Sequence, residues 1–320
     1  MANLLEVKHL KKYFSVPRGE LHAVDDVTFN IEKGKTIGIV GESGCGKSTL
    51  GKTLMRLHDP SAGEILYNGV DIAGMPMKEF KKNYRANIQM IFQDPYASLD
   101  PRMSVLQLIE EPIKVNDKSL SRADVTKKAK DMMELVGLAK RLENSYPHEL
   151  DGGRRQRIGI ARALSLDPDF IVCDEPVSAL DVSIQAQILN LLQDLQKERN
   201  LTYMFITHDM SVVKHISDDI AVMYLGQMIE KCPSEEIFQN TIHPYSQALL
   251  SAIPIPNVHV KKERMILKGE LTSPINPKAC CRFAARCPYA TEKCTAEVPV
   301  LKEVKPGHSV ACHYSENFMK

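Results

Sequence analysis

The chain has 320 residues, with 41 lysines and arginines against 40 aspartates and glutamates, for a net charge of +1. That length supplies a full core, as one large domain or two smaller ones, and the even charge gives no support for nucleic acid as the main partner. No apolar run reaches the roughly 18 residues of a membrane span, and Ala2-Asn3-Leu4-Leu5-Glu6 lacks a signal peptide's apolar core. The chain is therefore expected to be soluble and cytosolic, with any membrane role played against a partner that spans the bilayer.

Residues 1–90 read as strands and turns, with strands at Leu5 to Val7, Ala23 to Ile31 and Thr36 to Val40. The apolar, β-branched run Thr36 to Val40 leads into Gly41-Glu42-Ser43-Gly44-Cys45-Gly46-Lys47-Ser48-Thr49. A buried strand would deliver the chain into a glycine-rich turn, and a helix would start near Lys47. Glycines let successive N–H groups turn inward and the helix N-terminus adds positive charge, so the loop wraps a polyphosphate. Lys47 would reach the β- and γ-phosphates, and Ser48 would place its hydroxyl on Mg²⁺. An accidental glycine loop is the alternative, and the preceding strand argues against it. Cys45, beside a helix N-terminus, occupies a position that lowers a thiol pKa.

Residues 104–165 read as helical. Val125, Ala129, Met132, Met133 and Val136 mark one face of a helix over Ala123 to Val136. A second buried strand, Phe170 to Cys173, ends in Asp174 and Glu175. Ile188, Leu191, Leu192 and Leu195 mark a further amphipathic helix, and Tyr203 to Thr207 a further apolar strand. Helices alternating with apolar strands imply an α/β fold with a mainly parallel sheet covered on both faces. From residue 230 onward, proline, turn residues and cysteines become frequent, which marks a smaller appended domain. An acid at the end of an apolar strand downstream of a phosphate loop can hold Mg²⁺ through water. A second acid beside it can orient or deprotonate the attacking water.

In this order the motifs resemble those of the ATP-binding subunit of an ABC transporter, over essentially the whole chain. Gly41 to Thr49 is similar to the Walker A motif, including Gly41, Ser43, Gly44, Cys45, Gly46, Lys47, Ser48 and Thr49. Phe170 to Asp174 resembles Walker B, with Glu175 as the catalytic glutamate. Gln93, in Ile91-Phe92-Gln93-Asp94-Pro95, is similar to the glutamine that touches Mg²⁺ and senses the transmembrane partner. Ser178-Ala179-Leu180-Asp181 matches the D-loop, and His208 the switch histidine on the γ-phosphate. Tyr13 is the candidate for stacking on adenine, with Phe14 as the fallback. The resemblance thus implies ATP and Mg²⁺ as ligands, with Ser48, Gln93 and Asp174 around the metal and Glu175, His208 and Lys47 as catalytic groups.

One element departs from the family pattern. The signature Leu-Ser-Gly-Gly-Gln appears as Leu150-Asp151-Gly152-Gly153-Arg154. In the family, two subunits pair head to tail and each signature closes over the partner's nucleotide. Asp151 offers no donor when ionised and carries negative charge towards phosphate. Two unit charges about 4 Å apart at an effective dielectric near 20 interact by roughly 4 kcal/mol, an upper guide because Arg154 can neutralise Asp151. The alternative is a harmless substitution that still caps the following helix. An impaired composite site would occur twice in a homodimer, so a paralogous partner subunit is expected.

Ile242-His243-Pro244-Tyr245-Ser246-Gln247-Ala248-Leu249-Leu250, Cys281-Arg282-Phe283, Arg286-Cys287-Pro288 and Pro306 to Cys312 resemble the C-terminal extension of oligopeptide and dipeptide importers. This branch also takes nickel chelates and certain sugars. Of eight cysteines, five fall in the last 41 residues. Cys281, Cys287, Cys294 and Cys312 are separated by 5, 6 and 17 residues, unlike the close ligand pairs of structural zinc sites. The resemblance implies a 4Fe–4S cluster on these four, and reduced cysteines packed in a small core are the alternative. Cys280 substitutes as ligand or is spare, and His308 and His313 are near enough to be exchanged ligands. Cys45, Cys173 and Cys232 read as packing residues.

The resemblance implies a RecA-like P-loop core at 1–94 and 158–230, with an antiparallel β edge, a helical signature subdomain at 95–157 and a Cys-rich appendix at 231–320. It implies an ATPase peripheral to the cytoplasmic face of the membrane. Its partners would be a second ATPase subunit, two transmembrane permease subunits and, indirectly, an extracytoplasmic peptide-binding protein. An ABC-type ATPase acting on ribosomes or DNA would carry two cassettes or a long coiled coil, and here there is one Walker A and no heptad stretch. A regulatory subunit that binds ATP without cleaving it is opposed by Glu175 and His208.

Overall fold

The computed structural model describes residues 2–253, 265–267, 269 and 272–319. Two compact units divide them: Met1–Gly74 with Phe205–Lys320, and Met75–Met204. The first unit opens with β1 (Asn3–Val16), β2 (Gly19–Glu32), β3 (Thr36–Val40), α1 (Lys47–Leu54), β4 (Ala62–Tyr67) and β5 (Val70–Asp71). In β2, Val27, Phe29 and Ile31 are buried while Thr28 and Asn30 are exposed, the period-two pattern of a sheet with one wet face. β2, β1, β4 and β5 lie side by side in that order, all antiparallel. Both β1 and β2 run to 14 residues, well past the expected Leu5 to Val7 and Ala23 to Ile31. Their added ends carry Lys8, His9 and Glu20 on the exposed face, which hides strand character from an apolar pattern.

The second unit holds α2 (Met77–Asn83), β6 (Ile88–Ile91), α3 (Pro95–Ser98), α4 (Val105–Asn116), α5 (Arg122–Leu135), α6 (Gly152–Leu164), β7 (Phe170–Asp174) and α7 (Val182–Arg199). The stretch expected to be helical is three helices broken by 3₁₀ turns at Lys140–Leu142 and Pro147–Glu149. α4 to α7 start on side-chain caps: Ser104 with Gln107 in a capping box for α4, Ser121 for α5, Asp151 for α6 and Asp181 for α7. On α5, Val125, Ala129, Met132 and Met133 are buried as the periodicity requires. On α7 the buried face is Ile188, Leu189, Leu192 and Leu195. Leu189 takes the place expected for Leu191, which is half-buried. β6 and β7 run parallel, pairing Ile88 with Phe170 and Ile91 with Cys173, and β7 is buried along its whole length.

β8 (Thr202–Thr207), wholly buried, carries the chain from the second unit back into the first. There follow α8 (Met210–Ile216), β9 (Asp219–Tyr224), β10 (Gln227–Pro233), α9 (Ser234–Gln239), α10 (Pro244–Ser251), α11 (Glu292–Ala296), β11 (Lys302–Lys305) and β12 (His308–Val310). β3 pairs with β9 in parallel, and β10, β12 and β11 continue antiparallel in the order β3-β9-β10-β12-β11. The extension after residue 230 therefore adds strands to a sheet that already contains β3. Tyr224 of β9, Tyr245 of α10 and Phe283 form a buried aromatic cluster with ring centroids 4.7 to 5.5 Å apart. Edge-to-face packing of this kind adds to the area buried. Among the described residues, no helix is long and apolar enough to cross a membrane.

Candidate functional site

Every residue of β3 is buried, and in the loop that follows Gly41 and Gly46 leave no room for a side chain. At Gly41 (φ 153°) a Cβ would fall 2.3 Å from the Met223 carbonyl oxygen. At Gly46 (φ 105°) it would fall 2.1 Å from that of Ala23. Gly46 caps α1 without a side-chain bond, and a helix N-terminus is a place where anions bind. α1 starts at Lys47, as expected from the sequence. Lys47 is buried and its Nζ donates to the carbonyls of Gly41 (2.8 Å) and Glu42 (3.0 Å), so it rests on the loop's own backbone. Ser43, Gly44, Ser48 and Thr49 complete the loop and the first turn. Cys45 is 1% exposed, and burial raises its pKa. The lowered value expected from the helix N-terminus is not realised, because desolvation outweighs Lys47.

The acidic pair belongs to the second unit. Parallel pairing of Ile91 with Cys173 brings the residues after β6 and β7 out at the same end of the strands. Gln93 Nε2 accordingly donates to Glu175 Oε2 at 3.1 Å. Asp174 is buried and ends β7. Glu175 has φ 44°, a left-handed conformation unusual for a residue with a side chain, and its carbonyl accepts from the Ser178 hydroxyl at 3.1 Å. Asp181 caps α7 through the Ile184 N–H, 3.0 Å away. His208, exposed, follows β8 in the first unit, one residue before the α8 cap Asp209.

Asp151 caps α6: Oδ1 accepts the Arg154 N–H at 2.8 Å, and Oδ2 pairs with Arg154 Nη1 at 3.1 Å. Gly152 and Gly153 form the first turn of that helix. Tyr13 stacks on His22 with ring centroids 3.9 Å apart and 22° between planes, so one face of the expected adenine platform is covered. Its hydroxyl donates to Asp25, which also accepts from Arg282. Burial pushes the Tyr13 phenol up and Asp25 adds to the shift. Burial also works to raise the Asp25 carboxyl, yet the bonds from Tyr13 and Arg282 hold it below its ordinary value. Phe14 instead meets His58 edge-on. Sequence reasoning missed Asp25, Arg282, and the pairing of Glu42 with Arg286. A carboxylate inside a phosphate loop was the available signal that a cation must meet it.

Cys281, Cys287, Cys294 and Cys312 all line one cavity of about 20 Å³, with Phe283 and Tyr314 among its walls. The Cys312 sulfur accepts the Tyr314 N–H at 3.4 Å. Burial raises the thiols of Cys281, Cys287 and Cys312, Cys281 to about 11. Among the described residues, no group of three or more His, Cys, Asp or Glu side chains is arranged to hold a metal ion. Four thiols on one cavity are a donor set of the kind that thiolate ligation uses, and they are not drawn together on a single ion. Cys280 is not among the lining residues, whereas His313 is. His308 is committed elsewhere, its Nε2 2.8 Å from the buried Glu230 Oε1.

A family model described as "ABC transporter" matches residues 24–178, and one described as "Oligopeptide/dipeptide transporter, C-terminal region" matches residues 229–294. The chain is 50% identical over 319 residues to the oligopeptide transport ATP-binding protein AppF of Bacillus subtilis (strain 168), covering 97% of each. It is 47% identical over 313 residues to OppF of the same organism, covering 98% of this chain and 97% of that one. Among solved structures it resembles the ATP-binding cassette MJ0796 in a dimeric post-hydrolysis state bound to ADP and Pi. The TM-score is 0.66 at 28% identity, over 72% of this chain and 98% of that one. The phosphate loop, the acids after β7 and these likenesses converge: the chain belongs to the ABC transporter family, as an ATP-binding subunit of its oligopeptide and dipeptide branch.

Proposed function

We propose that this ABC-type ATPase energises import of di- and oligopeptides from the cytoplasmic face of a membrane. The observation that carries the reading is the C-terminal region shared with oligopeptide and dipeptide transporters, joined to the ATPase segment in one chain. Lys47 would leave the Gly41 and Glu42 carbonyls for the β- and γ-phosphates. Ser48, Gln93 and Asp174 would hold Mg²⁺, which offsets phosphate charge. Glu175 polarises the attacking water, and His208 stabilises the transferring phosphoryl group. The Gln93–Glu175 bond supports a coupling in which Gln93, on turning to the metal, frees Glu175 for water.

A second, paralogous ATPase subunit would pair head to tail with this one. Residues 95–157 would pass the motion to two permease subunits fed by an extracytoplasmic binding protein. Within the pair, the pocket built on this chain's Lys47 is the competent one. The pocket closed by this chain's Asp151 is weakened, because its carboxylate accepts hydrogen bonds where a hydroxyl would donate. Glu175→Gln tests the function directly: in the assembled transporter, ATP still binds and turnover falls by about a hundredfold or more. Unchanged turnover would make this chain a regulatory subunit. Growth on defined peptides after deletion of the chain separates peptides from nickel chelates as cargo.

The same reading assigns a 4Fe–4S cluster to Cys281, Cys287, Cys294 and Cys312, supported by their common cavity and the Tyr314 N–H···Sγ bond to Cys312. Anaerobic purification should give about four irons and four sulfides per chain with a visible charge-transfer band. Zinc, or neither metal, would contradict it.

A further inference from the structure

Two arginines stand beside cysteines of the appendix, and within the first unit Arg286 reaches Glu42 of the loop between β3 and α1 while Arg282 reaches Asp25 of β2. Glu42 is the one acid between Gly41 and Thr49, and three tethers hold it. Its N–H donates to the Tyr245 hydroxyl at 2.9 Å, and its carbonyl accepts from Lys47 at 3.0 Å. Its carboxylate takes a two-point pair from Arg286, with Nη1–Oε2 at 2.8 Å and Nη2–Oε1 at 3.1 Å. Such forked pairs fix direction as well as charge. The Arg286 side chain is 11% exposed and its guanidinium lies 5.9 Å over the Tyr224 ring, so the aromatic cluster sets where it points. Arg282, also buried, donates to Asp25 and to the Leu225 carbonyl. Asp25 in turn accepts from Tyr13 and lies 3.3 Å from His22 Nδ1.

We propose that Arg286 and Arg282 are positioning residues for ATP. Arg286 neutralises and holds the carboxylate inside the phosphate loop, and Arg282 holds the Asp25 that fixes Tyr13. This rests on the reading of Gly41 to Thr49 as the triphosphate cradle. Without Arg286, Glu42 is an unpaired negative charge beside a ligand that carries several, and repulsion grows with the number of phosphates. Without Arg282, the phosphate loop is intact and only the aromatic platform loosens. The two arginines therefore carry different signatures: one discriminates ATP from ADP, the other does not.

The test is calorimetric titration of the full-length chain with Mg·ATP and with Mg·ADP. Arg286→Ala should weaken ATP by about tenfold and ADP by clearly less. Adding Glu42→Gln to that variant should recover most of the loss, a rescue that a merely structural role would not give. Arg282→Ala should weaken both nucleotides by a similar factor. If Arg286→Ala fails to fold, Arg286→Lys gives the same readout, with a smaller loss still biased towards ATP. Native affinities in the Arg286 variants, equal losses for ATP and ADP, or no recovery with Glu42→Gln would overturn the role of Arg286. Native affinities in Arg282→Ala, or a loss confined to ATP, would overturn that of Arg282. Lys47→Ala serves as the control, because native binding there would instead defeat the cradle reading itself.

Discussion

Asp151 caps α6 at the position where the family signature carries a serine. Its two carboxylate oxygens are taken by the backbone and guanidinium of Arg154, at 2.8 and 3.1 Å, and its side chain stays 58% exposed. Serine and aspartate cap helices about equally well, so Asp151→Ser should change folding stability by less than about 0.5 kcal/mol. The substitution thus removes a charge and restores a donor without disturbing α6. In the assembled transporter it should raise the ATPase rate or tighten nucleotide-driven closure, read by turnover at saturating ATP. No gain in either would leave Asp151 as a helix cap and nothing more.

At the scale of the element, α10 depends on a buried titratable cap. His243 Nδ1 accepts the Tyr245 N–H at 3.1 Å, and burial pulls the ring from 6.5 down to about 4, with Glu230 opposing only in part. The folded chain thus holds a neutral ring while the unfolded chain takes a proton below about pH 6.5. Stability should fall as pH drops from about 6.5 towards about 4, by up to about 3 kcal/mol. His243→Asn keeps a capping acceptor and removes the titration. Urea unfolding at pH 7 and pH 4.5 should show a smaller acid loss in the variant, and an equal loss would contradict the assignment. Elements were legible in the sequence where burial is two-sided or periodic. β3, β7 and β8 stood out as apolar runs, and α5 showed its face through Val125, Ala129, Met132 and Met133. The outer ends of β1 and β2 were not legible, because lysines and a histidine line their wet face. Nor were the breaks at Lys140–Leu142 and Pro147–Glu149, where short 3₁₀ turns interrupt helical composition.

For the molecule as a whole, motif order carried the family, since spacing along a strand-loop-helix is local information. Long-range pairings escaped: Glu42 with Arg286 spans 244 residues, and Tyr13 reaches Arg282 only through Asp25. Gln93 and Glu175 were each legible, but their bond follows from the β6–β7 register, which no apolar pattern fixes. Lys47 and His208 belong to one compact unit and Glu175 and Gln93 to the other. The most direct measurement is peptide uptake and ATP turnover by the reconstituted transporter carrying Lys47→Ala in this chain alone. Both should fall by about a hundredfold or more, while uptake at the native rate would contradict the assignment of this chain's own pocket as the source of power.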